Sequence, residues 1–278
     1  MTQPAAIPRV LSIAGTDPTG GAGIHADLKS IGANGGYSMA VVTALVAQNT
    51  QGVRAIHIPP LPFLREQLDA VSDDVQIDAV KIGMLGNTGI IEVVSDWLAA
   101  HRPPVVVLDP VMVATSGDRL LDAAAESALR ALLHTADLIT PNMPELAVLA
   151  NAAEADNWAA VLQQARQVAA QYQVHVLAKG GHLQGAHAPD ALVTPAGTVT
   201  EFPGERIHTR NTHGTGCSYS AALATLRPQR AGWEDTVREA KNWLTDSIRH
   251  ADALHVGHGN GPISHFATLW RMRDQQHR

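Results

Sequence analysis

Val105-Val106-Val107-Leu108 is a run of four aliphatic residues that ends directly on Asp109 and Pro110. With no polar residue between them, these side chains have no face to show to water. The run therefore predicts a strand covered on both sides, as in parallel sheets packed between helices. The rest of the chain repeats that theme. Strand-like apolar runs at 10–14, 39–45, 53–58, 79–82, 138–139 and 174–178 alternate with helical periodicities at 24–34, 63–71, 90–98, 123–133, 144–150 and 158–171. Segments 191–194 and 198–202, joined around Pro195-Ala196-Gly197, predict a hairpin. Two helices, 217–226 and 233–254, close the chain. This alternation predicts an α/β fold of three layers, αβα, with a mostly parallel central sheet and helices on both faces. No repeat or long linker divides the 278 residues, so one domain is expected, with 1–8 and 271–278 as flexible tails.

Bulk properties exclude several function classes. A net charge of −6 argues against a nucleic-acid footprint. A single cysteine rules out an internal disulfide and a multi-cysteine metal site, and it suits a reducing compartment. No apolar run reaches the roughly 18 residues of a membrane span. Met1 to Pro8 lacks a cationic region leading into an apolar stretch, so a cytoplasmic location is expected.

In open parallel sheets, ligands bind beyond the C-terminal strand ends, and several polar or glycine-rich clusters fall there. Asn211-Thr212-His213-Gly214-Thr215-Gly216-Cys217 opens a helix with glycines and the sole cysteine. Glycines allow close backbone approach, N–H groups converge, and the helix dipole favours an anion. A thiol in that field is expected to have a lowered pKa. Taken alone, the segment reads equally well as a helix start with a buried, inert cysteine. The loop Gly15-Thr16-Asp17-Pro18-Thr19-Gly20-Gly21-Ala22-Gly23 follows the first strand. Gly21-Ala22-Gly23 with Ala26 matches a relaxed dinucleotide fingerprint. No acidic residue follows between Asp27 and Glu66 to hold a ribose, which disfavours a nicotinamide cofactor and leaves a plain turn as the other reading.

Other candidates sit at similar places. Asp27, in the first turn after that loop, is either a dipole-complementing surface acid or an acceptor facing the loop. Gln48 and Asn49 follow an apolar strand and offer amides to the edge of a flat heterocycle, or form a turn. Asp109 ends a buried strand, where a carboxylate needs a partner or a metal. Asn142 and Glu145 stand three apart at a helix start. Glu145 is either a first-turn helix acid or, with Asp109, a holder of Mg²⁺. Lys179, before Gly180-Gly181, can reach phosphate oxygens or sit solvated. The chain carries no G-x-x-x-x-G-K-[ST], no protein-kinase set, no H-E-x-x-H and no G-x-S-x-G. The 14 histidines show no metal-ligand spacing, and His213 alone has a suggestive place.

The ordered set of motifs resembles one family. Ala14-Gly15-Thr16-Asp17-Pro18 with Gly20 to Gly23, Ala26-Asp27-Leu28-Lys29, Ala47-Gln48-Asn49-Thr50 and Lys81-Ile82-Gly83-Met84-Leu85 come first. Leu108-Asp109-Pro110-Val111-Met112, Thr140-Pro141-Asn142 with Pro144-Glu145, Lys179-Gly180-Gly181-His182 and Asn211 through Cys217 follow. Together they resemble the hydroxymethylpyrimidine/phosphomethylpyrimidine kinases of thiamine biosynthesis, in the ribokinase-like superfamily. The resemblance implies ATP and Mg²⁺, a pyrimidine substrate phosphorylated twice, and a homodimer. It implies Gln48, Asp27 and Gly15 near the pyrimidine ring, with Met84 and Val111 packing its faces. Cys217 takes the place of the catalytic base, and amides from Gly214, Thr215, Gly216 and Cys217 form the anion hole. Lys179, Asn142 and His213 would serve the nucleotide, and Asp109 and Glu145 the Mg²⁺. One position departs: after Val113-Ala114, Thr115 stands where the family often carries a lysine. Two other readings stay open, a pyridoxine or pyridoxal kinase and a non-catalytic pyrimidine-phosphate sensor.

Overall fold

The computed structural model describes residues 6–112 and 123–276. In chain order the first half runs β1 (Arg9–Ala14), α1 (Gly23–Ala33), β2 (Tyr37–Val42), β3 (Leu45–Asn49), β4 (Gly52–His57), α2 (Leu61–Ser72), β5 (Ala79–Ile82), α3 (Thr88–His101) and β6 (Val106–Leu108). It continues with α4 (Glu126–Leu132), β7 (Leu138–Ile139), α5 (Met143–Ala150), α6 (Trp158–Tyr172), β8 (His175–Lys179), β9 (Asp190–Val193) and β10 (Val199–Phe202). Helices α7 (Thr215–Leu226), α8 (Trp233–Arg249) and α9 (Ala267–Gln276) end the chain.

Eight strands form one sheet in the order β10-β9-β8-β7-β6-β5-β1-β2. β2, β1 and β5 through β8 run parallel, while β9 runs antiparallel to both β8 and β10. Side chains alternate between two cores. Leu11, Ile13, Val80, Ile82, Val106 and Leu108 pack against α2 to α6. Val10, Ala79, Val107, Leu138 and Leu177 pack against α1, α7 and α8. This two-sided burial is why Val105 to Leu108 shows no polar alternation, and it realises the expected ribokinase-like αβα architecture.

Three expectations change. The run 39–45, expected as one strand, breaks at Thr43, whose hydroxyl donates to Met84 O at 2.6 Å. The chain then leaves the sheet, and β3 and β4 form a separate antiparallel pair carrying Gln48. The helix expected over 233–254 stops at Arg249 and is followed by a 3₁₀ turn, Ala251–Leu254. Helix α9 was not expected, because Leu269, Trp270 and Met272 are exposed and give no apolar stripe. It makes 271–276 helical.

The layer between the sheet and α1 holds an ion pair. Lys81, on the same face of β5 as Ala79, donates to both oxygens of Asp27 at 2.9 and 2.8 Å. Ser12 Oγ donates to Asp27 Oδ2 at 2.6 Å, and all three residues are fully buried. Removing one partner leaves an uncompensated buried charge. We expect Lys81→Met to lose about 3–5 kcal/mol of stability in urea unfolding, and Lys81→Met/Asp27→Leu to recover most of it. A single variant as stable as the parent would show that Asp27 is already neutral in the folded protein.

Candidate active site

A cavity of about 1230 Å³ opens along the C-terminal ends of β1, β5, β6, β7 and β8. Gly15, Met84, Asp109, Asn142 and Lys179 lie at or just beyond those strand ends and line it. The same cavity is lined by Gln48, Val111, Glu145, His213, Gly214, Thr215, Gly216 and Cys217. Asp27 alone among the expected site residues does not line it. In place of a ring contact, its carboxylate is turned beneath the cavity and consumed by Lys81 and Ser12. Thr115 lies outside the described residues.

Two glycine loops meet at the cavity floor. Gly214 caps α7 in the left-handed region at φ 75°. A Cβ there would lie 1.7 Å from Gly21 O, so the loops touch backbone to backbone. Asp17 ties them together. Its carboxylate accepts from Thr19 N at 2.9 Å, Gly21 N at 3.1 Å, Ala22 N at 2.8 Å and His213 Nε2 at 2.7 Å. Burial resists its charge, but the His213 and Thr19 hydrogen bonds outweigh that and hold Asp17 well below the usual carboxylate range. The sequence reading missed Asp17 as an organiser, although an Asp two residues into a glycine-rich loop is a known signal for such turns. A strap from the C-terminal region completes the floor: His213 N donates to Gly261 O at 3.0 Å, and Gly261 N to Asn211 Oδ1 at 3.1 Å.

The first turn of α7 turns backbone amides toward the cavity. Gly214, Thr215, Gly216 and Cys217 have no helical residue four positions back to bond. Thr215 N–H turns to Thr212 O at 3.2 Å, which leaves the flanking amides as the better donors. A Cβ on Gly216 would lie 3.4 Å from Lys179 Nζ and 3.5 Å from Asp109 Oδ2, so lysine, carboxylate and helix start converge on one spot. Lys179 Nζ donates to Asp109 Oδ1 at 3.1 Å, and Thr140 Oγ1 to the same oxygen at 2.9 Å. Burial works against the Lys179 charge, but Asp109 and Glu145 prevail and raise its pKa, so it stays cationic. Asn142 and Glu145 form a reciprocal capping box on α5, with both bonds at 2.9 Å. Burial pushes Glu145 up to about 7, against the pull of Lys179 and with the push of Asp109.

The thiol corrects an expectation. A helix N-terminus was expected to lower the Cys217 pKa, yet it is pushed up to about 11. Loss of water around the sulfur dominates, and the carboxylates Asp27 and Asp109 add to it. Lys81 and a hydrogen bond from the Gly23 backbone pull the other way without prevailing. Gly23 also fixes the neighbouring wall of the cavity. A Cβ on Gly23 would lie 2.2 Å from Gly15 O, and one on Gly15 would lie 3.1 Å from Met84 Sδ. Gly15, Met84 and Cys217 are thereby drawn around one loop.

A donor set of two hard carboxylates beside a lysine suits Mg²⁺, which takes one or two carboxylates and fills its shell with water and phosphate oxygens. Asp109 Oδ2 is the oxygen left over by Thr140 and Lys179. Among the described residues no group of three or more acidic, histidine or cysteine side chains gathers to hold a metal ion. A water-rich Mg²⁺ site fits that arrangement better than a protein cage.

The αβα sheet, the strand-end cavity and the amide-lined start of α7 define a ribokinase-like small-molecule kinase. Residues 17–264 match the family described as phosphomethylpyrimidine kinase, and the chain belongs to that family. It is 51% identical over 261 residues to the hydroxymethylpyrimidine/phosphomethylpyrimidine kinase of Escherichia coli, covering 94% of this chain and 98% of that one. It is 55% identical over 265 residues to a thiamine biosynthesis multifunctional protein of Corynebacterium glutamicum, covering 95% of this chain. There the chain spans only 35% of the relative's length. Among solved structures, an ADP complex of Bacillus subtilis pyridoxal kinase superimposes with a TM-score of 0.87 at 30% identity, covering 95% of this chain and 99% of that one.

Proposed function

We propose that this chain phosphorylates 4-amino-5-hydroxymethyl-2-methylpyrimidine from ATP, then phosphorylates the monophosphate to the diphosphate, in thiamine biosynthesis. One observation carries the reading: the ring slot at Gly15 and Met84 borders Gly23, whose N–H meets the only thiol, and that thiol sits in the first turn of the anion-binding helix. A hydroxymethyl on a ring held there faces both a proton acceptor and a phosphate site.

Phosphoryl transfer needs positioning and charge neutralisation more than covalent chemistry. Gln48 pairs with the ring edge while Met84 and Val111 pack its faces. Cys217 takes the hydroxyl proton. Amides of Gly214, Gly216 and Cys217, with Lys179, hold the transferred phosphoryl oxygens. Asn142 and His213 border the nucleotide. Asp109 and Glu145 hold Mg²⁺, which when bound neutralises phosphate charge. Exposed Leu45, Ile56, Ile58, Leu61 and Phe63 on and after the β3–β4 pair suit a homodimer, which sedimentation velocity reads. A cytoplasmic location keeps Cys217 reduced, and cell fractionation reads it.

Incubation with Mg-ATP and the hydroxymethylpyrimidine, followed by mass, is expected to give the monophosphate and then the diphosphate. The likeness to a pyridoxal kinase favours a second reading, so pyridoxine runs in parallel. Phosphorylated pyridoxine alone would replace the pyrimidine assignment. Binding of the pyrimidine without any product would favour a sensor.

A further inference from the structure

The phosphate site has two halves on separate elements, Lys179 at the end of β8 and the first turn of α7. One side chain reaches both. Asp190, first residue of β9, lies opposite Lys179 in the β8–β9 register. Its Oδ1 is a second acceptor, at 3.3 Å, for Gly180 N, the amide next to Lys179, which also donates to Pro189 O at 2.9 Å. Its Oδ2 accepts from Tyr219 Oη, one half-turn beyond Cys217 on α7, at 3.2 Å. The same oxygen accepts from Lys241 Nζ on α8 at 2.6 Å, and Lys241 also donates to Ala188 O at 3.1 Å.

We propose that Asp190 is a positioning residue that sets the spacing between Lys179 and the amide-lined start of α7. The proposal rests on the kinase reading above, since it assigns those two groups to one phosphate.

Packing alone does not call for this carboxylate. Leu192, Phe202, Val237, Ala240 and Leu244 already join β9, β10 and α8 in an apolar core. A buried ion pair costs desolvation that an apolar residue would avoid. What it adds is direction, because charge-assisted hydrogen bonds are short and fix orientation. Asp190, Tyr219 and Lys241 are all buried, and all three line the cavity. Burial, with Asp190 beside it, keeps the Tyr219 proton in place, so Tyr219 remains a donor throughout the working range. Gly204 leaves room for the lysine: a Cβ there would lie 3.0 Å from Lys241 Cε and 2.6 Å from Ala188 O. The Asp190 side chain thus reaches the turn after β8, α7 and α8 at once and makes no hydrogen bond to Gly15, Gln48, Met84 or Val111.

Asp190→Asn keeps the shape and removes the charge; Tyr219→Phe removes only the α7 link. A misplacement near 1 Å costs on the order of 10²-fold in rate. We expect Asp190→Asn to lower kcat about 10- to 100-fold and Tyr219→Phe several-fold, with KM for the pyrimidine changed less than about twofold. A second readout needs no turnover. Cys217 is the only cysteine, so the ratio of its alkylation rates by iodoacetate and iodoacetamide reports the positive field at the anion site. That ratio is expected to fall several-fold in both variants. Asp190→Asn leaves buried Lys241 without its counter-charge and is expected to melt below the parent, so kcat and the ratio are compared at a temperature where both variants are fully folded. An unchanged ratio with unchanged kcat in both would overturn the proposal, as would a kcat loss that merely tracks the unfolded fraction. A parent protein inert toward the pyrimidine would instead sink the substrate assignment and leave the alkylation ratio to decide this point.

Discussion

Cys217→Ser is expected to fold like the parent and to lose turnover by about 10²-fold or more. The residue is partly exposed to the cavity, and serine occupies nearly the same volume, so packing around α7 is preserved. What changes is the group that can accept a proton. A hydroxyl surrenders its own proton far less readily than a thiol, so the variant presents no base. The raised thiol pKa of about 11 makes a second, sharper expectation. At pH 7 the thiolate fraction is then on the order of 10⁻⁴. If the thiolate takes the substrate proton, log kcat climbs by about one unit per pH unit from about pH 7 to about pH 10. Lys81 remains charged across that window, because Asp27 and the neighbouring acids raise its pKa against burial. In Cys217→Ser the slope disappears. Steady-state kinetics over that range decides it: a flat profile in the parent, or a serine variant within twofold of it, removes Cys217 from proton transfer and leaves only its amide in the mechanism.

The pKa reversal shows where reading the sequence reaches its limit. A cysteine at a helix start is visible in the chain, and so is the field of that helix. The water excluded from around the sulfur is not visible, and here it outweighs the field. The same holds for Asp27. Its position at the start of α1 was legible, but its partner Lys81 lies 54 residues away, inside what reads as a plain buried strand. A lysine between Val80 and Ile82 gives no local hint that it is fully buried. Strand ends fared better, because an aliphatic run followed by Asp, Asn or Lys is a local signal. Asp109, Asn142 and Lys179 all stand at such ends and line one cavity. The break at Thr43 had no such signal, since Thr43-Ala44 fits a strand by composition and the partner of the Thr43 hydroxyl, Met84 O, lies 41 residues away. Asp190 was passed over for a related reason. Its three donors come from Gly180, Tyr219 and Lys241, which only the tertiary fold assembles.

Gly214→Ala tests the contact between the two loops, and Gly216→Ala tests the anion site itself. At Gly214 a side chain meets two obstacles. The backbone is left-handed, which costs about 1–2 kcal/mol for a non-glycine residue. The new Cβ would also lie 1.7 Å from Gly21 O and 2.7 Å from Gly21 C, both backbone atoms that cannot swing aside. The loops must part, and Asp17 resists, because it grips Gly21, Ala22 and His213 together. Gly214→Ala should therefore lose stability beyond the left-handed cost alone, and turnover by about 10²-fold or more as the α7 amides shift. Gly216 differs. It lies within α7, where alanine is a better helix former, and its Cβ would meet only Lys179 Nζ at 3.4 Å and Asp109 Oδ2 at 3.5 Å. Gly216→Ala should fold at least as well as the parent while placing a methyl group where phosphoryl oxygens are to bind, so kcat drops without loss of stability. Urea unfolding and kcat measured on both variants separate the two effects. Full turnover in Gly216→Ala would move the phosphate away from the start of α7, and parental stability in Gly214→Ala would mean that the loops are not in contact.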